Sequence, residues 1–157
     1  MNDAAVVIRA FQPRDREAVR DICLQTADGG HPLDLDFFSD HELFADLLTL
    51  WYTDLSPATV WVAEAGGQVV GYCMGCLSSL TMQRQLMRHV VLPSLWRALK
   101  RGTLLRLAMF KTLWGNARVW MDSLIQRERH ALHYPAQIHV NLRPGFRGHR
   151  VGHQLAE

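Results

Sequence analysis

Cysteine is scarce in this chain of 157 residues: Cys23, Cys73 and Cys76 are odd in number and too few for a disulfide framework. That excludes a cystine-stapled secreted scaffold and places the chain in a reducing cytoplasm. No apolar run reaches the ~18 residues a membrane-spanning helix needs. The first residues, MNDAAVVIRAF, lack the positive start of a secretory signal. Internal repeats and low-complexity tracts are missing. So are G-x-x-x-x-G-K-[ST], G-x-G-x-x-G and H-E-x-x-H, which removes the phosphate loop, the dinucleotide fingerprint and the zinc-protease helix. No nucleic-acid-binding motif accompanies the basic residues, so nucleic acid is not an expected partner.

What is present is an ordinary globular composition, 48% hydrophobic and 20% charged, at the length of one domain. The net charge of +2 conceals an uneven spread. Residues 79–134 hold ten Arg and Lys against two acids, so the rest of the chain is acidic.

Ala4–Phe11 reads as a strand and Pro13–Ala27 as a helix with proline in its first turn. A second helix begins near Asp40, a good cap, with Leu43, Phe44, Leu47, Leu48 and Trp51 as its apolar stripe. Thr59–Glu64 and Gln68–Gly75 flank Gly66-Gly67 as a hairpin of interior strands. Residues 79–134 form a basic helical insert: Leu80–Val91, a restart at Pro93 through Leu99, and Thr103–Gln126 interrupted by Gly115-Asn116. Ala136–Leu142 returns to strand. The order predicts an α/β sandwich with a mixed sheet and flanking helices, one domain over residues 1–157 with the insert before its fourth strand.

Two metal-like patterns weaken on inspection. Cys73 and Cys76 spell C-x-x-C, but residues three apart on a strand point to opposite faces, and no second pair exists. His149 and His153 share a helix face without a third ligand. No metal site is expected, and His130 and His133 are expected to face solvent.

The stretch Phe146-Arg147-Gly148-His149-Arg150-Val151-Gly152 follows a strand and opens a helix. Small residues allow close backbone approach, the first helical amides have no intrahelical acceptor, and arginines add charge. Such a turn suits a diphosphate; it also reads simply as a helix start with basic, solvated residues.

The segment resembles the acetyl-coenzyme A signature R/Q-x-x-G-x-G/A of the GCN5-related N-acetyltransferases (GNAT). Arg147 and Gly152 match its outer positions, and the preceding Leu142-Arg143-Pro144 matches its apolar-x-Pro strand end. The middle glycine is Arg150 here, a departure that could crowd a pyrophosphate or add a charge. Ile22–Gly30, Val62–Glu64 with Val69–Tyr72, and Tyr134–Leu142 further resemble a bacterial acetyltransferase-like group related to the domain beside some O-GlcNAc hydrolases.

The resemblance implies an acyl-coenzyme A-dependent N-acetyltransferase with acetyl-coenzyme A as co-substrate and a small-molecule or peptide amine as acceptor. A non-catalytic relative that binds acyl-coenzyme A or a partner is the alternative. Arg147, Gly148, His149, Arg150, Val151 and Gly152 would hold the pyrophosphate, and the Leu142 amide would bond the thioester carbonyl. His139 is the candidate base, with an unperturbed pKa near ~6.5; the alternative is a structural histidine bonded within the sheet. Asn141, on the same strand face, would orient substrate. Asp28 and His31 lie in the loop where the family forms its acceptor groove, or merely end a helix. The family normally continues past the signature helix with a fifth strand, so the resemblance implies a C-terminally shortened domain, with an unpaired fourth strand that favours dimers or aggregation. The insert, with Trp96, Trp114, Trp120 and several methionines among its cations, reads as a lid on the acidic body or as a docking surface for a membrane or protein partner.

Overall fold

The computed structural model describes residues 5–32, 40–103 and 135–157. Four strands, β1 (Val7–Ala10), β2 (Val60–Ala65), β3 (Gln68–Cys76) and β4 (Gln137–Leu142), form one sheet in the order β1-β2-β3-β4. Every pairing among them is antiparallel, so the parallel pairing that the expected mixed sheet needs does not occur among the described residues. The β2–β3 hairpin turns at Gly66 and Gly67, both with positive φ (57° and 78°), as a tight two-residue connection requires.

Helices cover both faces, giving the α/β sandwich that the element order predicts. Helix α1 (Arg16–Gln25) lays Val19, Ile22 and Cys23 on Val60, Val62, Tyr72 and Met74. On the other face α5 (Val151–Ala156) lays Val151 and Leu155 on Ala63, Ala65, Val70 and Cys73. Alternation along β3 therefore feeds two cores, and Cys73 and Cys76 fall in separate clusters. Among the described residues, no group of three or more His, Cys, Asp or Glu is placed to hold a metal ion.

The helix predicted from Pro13 opens as a 3-10 turn, Pro13–Asp15, before α1. Asp15 accepts the Gln12 amide and the Arg9 guanidinium, which also reaches Glu64 on β2. Helix α2 (His41–Leu50) starts where Asp40 accepts the Leu43 amide at 2.9 Å, the cap expected from sequence.

The insert holds one finding that periodicity alone misses. Helix α3 (Ser79–Leu86) and α4 (Leu92–Lys100) do not break at Pro93; a π-helical turn, Met87–Val91, joins them. Proline lacks an amide donor and its ring crowds the carbonyl four residues back, here that of His89. A widened turn, in which the Leu92 amide reaches the Met87 carbonyl, accommodates the ring without ending the helix. The inner side of α4 is pinned to the acidic body. Arg97 bonds Asp46 at 2.8 Å and Arg101 bonds Asp40 at 2.9 Å, and the Thr103 hydroxyl also donates to Asp40. Asp46 also takes buried Arg20 of α1 at 2.5 Å. Burial alone would raise the Asp40 pKa, but bonds from Thr103, the Leu43 amide and Arg101 hold it below the ordinary carboxylate value. At its start the helix is tied to the approach to β4: the Ser79 amide and hydroxyl both donate to the Pro135 carbonyl. The predicted helix Thr103–Gln126 past its first residue, its Gly115-Asn116 interruption, Trp114, Trp120, His130 and His133 lie outside the described residues.

Candidate active site

Strand β4 pairs with β3 on one side and with no strand among the described residues on the other. Its free edge has a definite chemistry. The Arg143 amide donates to the Val70 carbonyl at 2.9 Å, so Arg143 sits in a hydrogen-bonded pair. Antiparallel alternation then turns the main-chain groups of Asn141 and His139 toward β3, and those of Leu142, Val140 and Ile138 outward. The Leu142 amide thus faces the open edge. Its carbonyl does too, and accepts Arg147 Nε at 3.0 Å.

On the α1 face, a chain of polar groups crosses from core to edge. Tyr72 is fully buried, and its register partner on β4 is Asn141. Asn141 Nδ2 lies 2.7 Å from the Tyr72 hydroxyl and 3.0 Å from His139 Nε2. An amide nitrogen has two protons and no available lone pair, so both contacts are donations. His139 is thereby the tautomer protonated on Nδ1, with Nε2 accepting. Its ring lies nearly parallel to Tyr72, with 14° between planes and 6.2 Å between centroids. This packing desolvates the imidazole and lowers its pKa below the ordinary histidine value, although the residue's outer rim is open to solvent. Burial pushes the Tyr72 hydroxyl strongly up, with Cys23 as its further partner, so it stays protonated.

After β4 the chain makes a 3-10 turn, Pro144–Phe146, and passes Gly148 (φ +81°) and Arg150 (φ +60°) before α5 begins. The Arg147 amide is used by the Pro144 carbonyl. Arg147 and Gly148 form a hydrogen-bonded turn that uses the His149 amide, whereas the amides of Gly148, Arg150, Val151 and Gly152 donate to no acceptor among the described residues. Gly148, His149 and Arg150 are exposed, and Val151 is buried under the sheet. Arg150 therefore takes the left-handed conformation that glycine adopts without strain.

The Arg147 side chain turns away from that row of amides. Its Nη2 donates to the Gly30 carbonyl at 2.9 Å while Nε holds Leu142, so one guanidinium ties the loop after α1 to the end of β4. That loop is a tight reversal: Asp28 and His31 exchange backbone bonds across Gly29 (φ +55°) and Gly30 (φ +98°). The Asp28 and His31 side chains are exposed and make no hydrogen bond among the described residues. A second tie runs alongside, with Arg143 bonding Asp21 and Gln25 of α1, both at 2.7 Å.

The sequence-derived residues thus converge on one end of the sheet: Leu142, the turn 147–152 and the loop 28–31 adjoin, while His139 and Asn141 follow along β4. Sequence reading missed Tyr72, Gly30 and Arg143. A tyrosine in an otherwise apolar interior strand requires a partner for its hydroxyl, and that is the one signal that could have drawn attention to Tyr72.

No family model matches the chain, and no curated protein matches it. Among solved structures, the crystal structure of SsHAT matches at a TM-score of 0.68 and 24% identity, over 96% of this chain and 73% of that one. That likeness establishes the fold, a GNAT-like α/β sandwich.

Proposed function

We propose that the chain binds acetyl-coenzyme A at the end of β4 and transfers its acetyl group to an amine. The observation that carries this reading is the set of unengaged amides at Gly148, Arg150, Val151 and Gly152, beside the outward-facing Leu142 amide. Convergent amides suit phosphate oxygens, and a lone amide on a strand edge suits a thioester carbonyl whose oxygen gains charge during attack. Acetyl-coenzyme A would supply the activated acyl group; Gly148 to Gly152 would hold its diphosphate and Leu142 its carbonyl. The name of the structural neighbour, SsHAT, fits acetyl transfer.

His139 is the base in this reading. Its lowered pKa keeps the ring neutral at physiological pH. An incoming ammonium that takes the place of Asn141 at Nε2 meets a free lone pair, and Asn141 keeps its bond to Tyr72. Asp28, exposed on the clamped loop, offers a negative charge for the approaching amine.

Calorimetric titration with acetyl-coenzyme A, with thiol release over a panel of amines, tests the reading. Binding is expected, with at least a tenfold loss in Gly148→Asp, roughly the effect of one like charge against a phosphate. His139→Ala should bind normally and turn over slowly. Failure to bind coenzyme A would sink the proposal. One observation favours a second reading: with Asn141 spent on Nε2 and Arg150 in the middle signature position, the fold also suits a non-catalytic acyl-coenzyme A binder. Binding without turnover for any amine would select it.

A further inference from the structure

The two sides of the α3–α4 helix differ in a way that the candidate active site does not use. Inward, Ser94 and Ala98 are fully buried, and Leu95 packs with Leu43 and Leu47 of α2. Outward, Leu92, Trp96 and Leu99 stand at intervals of four and three residues, which places them on one helical face. They are 58%, 58% and 43% exposed, and Met87 in the π-helical turn is 56% exposed.

The charges divide the same way. No Asp or Glu occurs between Ser79 and Thr103. Of the five cations there, Arg97 and Arg101 are spent inward on Asp46 and Asp40. Arg84, Arg88 and Lys100 are exposed and have no acidic partner among the described residues. The Lys100 ammonium sits over the Trp96 ring, 5.3 Å from its centroid, so cation and indole project together.

We propose that this outward side docks the protein on an anionic membrane surface. The aliphatic and indole groups would enter the headgroup–acyl boundary, and the cations would remain among the anionic headgroups. Among the described residues no helix is long and apolar enough to cross a membrane, so the contact lies in the interface plane. Charge complementarity selects this occupant. A second copy meeting face to face would oppose like charges, whereas an anionic bilayer satisfies the cations and the apolar stripe at once.

Flotation of the full chain with vesicles tests the proposal. The protein should float with phosphatidylcholine mixed with phosphatidylglycerol, stay behind with phosphatidylcholine alone, and be released by high salt. Arg88→Gln with Lys100→Gln should lower partitioning at least about tenfold, given the contribution of each cation near such a surface. Leu92→Ser with Trp96→Ala should lower it comparably. Leu77→Ser removes an apolar side chain that is 84% exposed but off this helix, and should leave partitioning unchanged. All these positions are exposed, and an unchanged thermal midpoint verifies each fold. No flotation with anionic vesicles, equal flotation with neutral ones, or equal loss in Leu77→Ser would overturn the proposal. So would a concentration-dependent dimer lost in the apolar variant, or poly-glutamate binding as tight as vesicle binding, which would point to a second copy or an acidic protein.

Discussion

At Gly71 the sheet is closed by the absence of a side chain. A Cβ there would collide with Leu142 Cδ2 and lie 3.0 Å from the Asn141 carbonyl oxygen. Gly71→Ala must push β4 away or force Leu142 off its rotamer, a loss of about 1–3 kcal/mol in urea denaturation. Gly30 is constrained twice, by its φ of +98° and by Arg147 Nη1, which a Cβ would approach to 2.7 Å. Gly30→Ala should therefore release the loop carrying Asp28 and His31. His139 sets a pH dependence. Its folded pKa lies below its unfolded value, so below about pH 6.5 the unfolded chain binds the proton first and stability falls as pH falls. His139→Gln should flatten that limb in denaturation midpoints measured from neutrality downward. The strand-to-helix turn over residues 147–152 was readable from sequence because its glycine and arginine pattern is local. The Tyr72–Asn141–His139 chain was not, because it depends on β3–β4 register across a long insert.

Among the elements, strands and helix starts were the most legible. Near-continuous apolar runs mark β2 and β3, Gly66-Gly67 marks their turn, and Asp40 marks α2. Pro93 misled for a physical reason: a proline ends a helix only if the preceding turn cannot widen, and here it does. The attachment of α4 was visible only as a charge imbalance; its partners required three dimensions. Asp46 is the keystone of that contact, holding Arg20 and Arg97 while itself nearly inaccessible. Asp46→Ala should cost about 3 kcal/mol, because buried Arg20 would keep only Glu42 and a longer contact to Glu17. Chemical denaturation measures this; a loss no larger than that of an exposed ion pair, ~0.5 kcal/mol, would show that solvent already reaches the network.

Over the whole molecule, the two arginine ties at the end of β4 join α1, its loop and the signature turn into one unit. A ligand that seats on the turn should therefore raise the thermal midpoint of the entire fold, by an amount equivalent to about 2.7 kcal/mol at a hundredfold excess over Kd. At the same ligand concentration the shift should fall to about half of that, or less, in Gly148→Asp, whose Kd is at least tenfold weaker. The widened turn at Met87–Val91 has a separate consequence. A π turn takes up one extra residue while keeping the helix beyond it in phase. Deleting a single residue there would close the turn to α-helical spacing, with Arg97 still facing Asp46 and Leu92 and Trp96 still outward. It would also bring the Pro93 ring back against a carbonyl it cannot clear, at a cost of about 3 kcal/mol. A one-codon loss at this point would therefore weaken the helix without turning it.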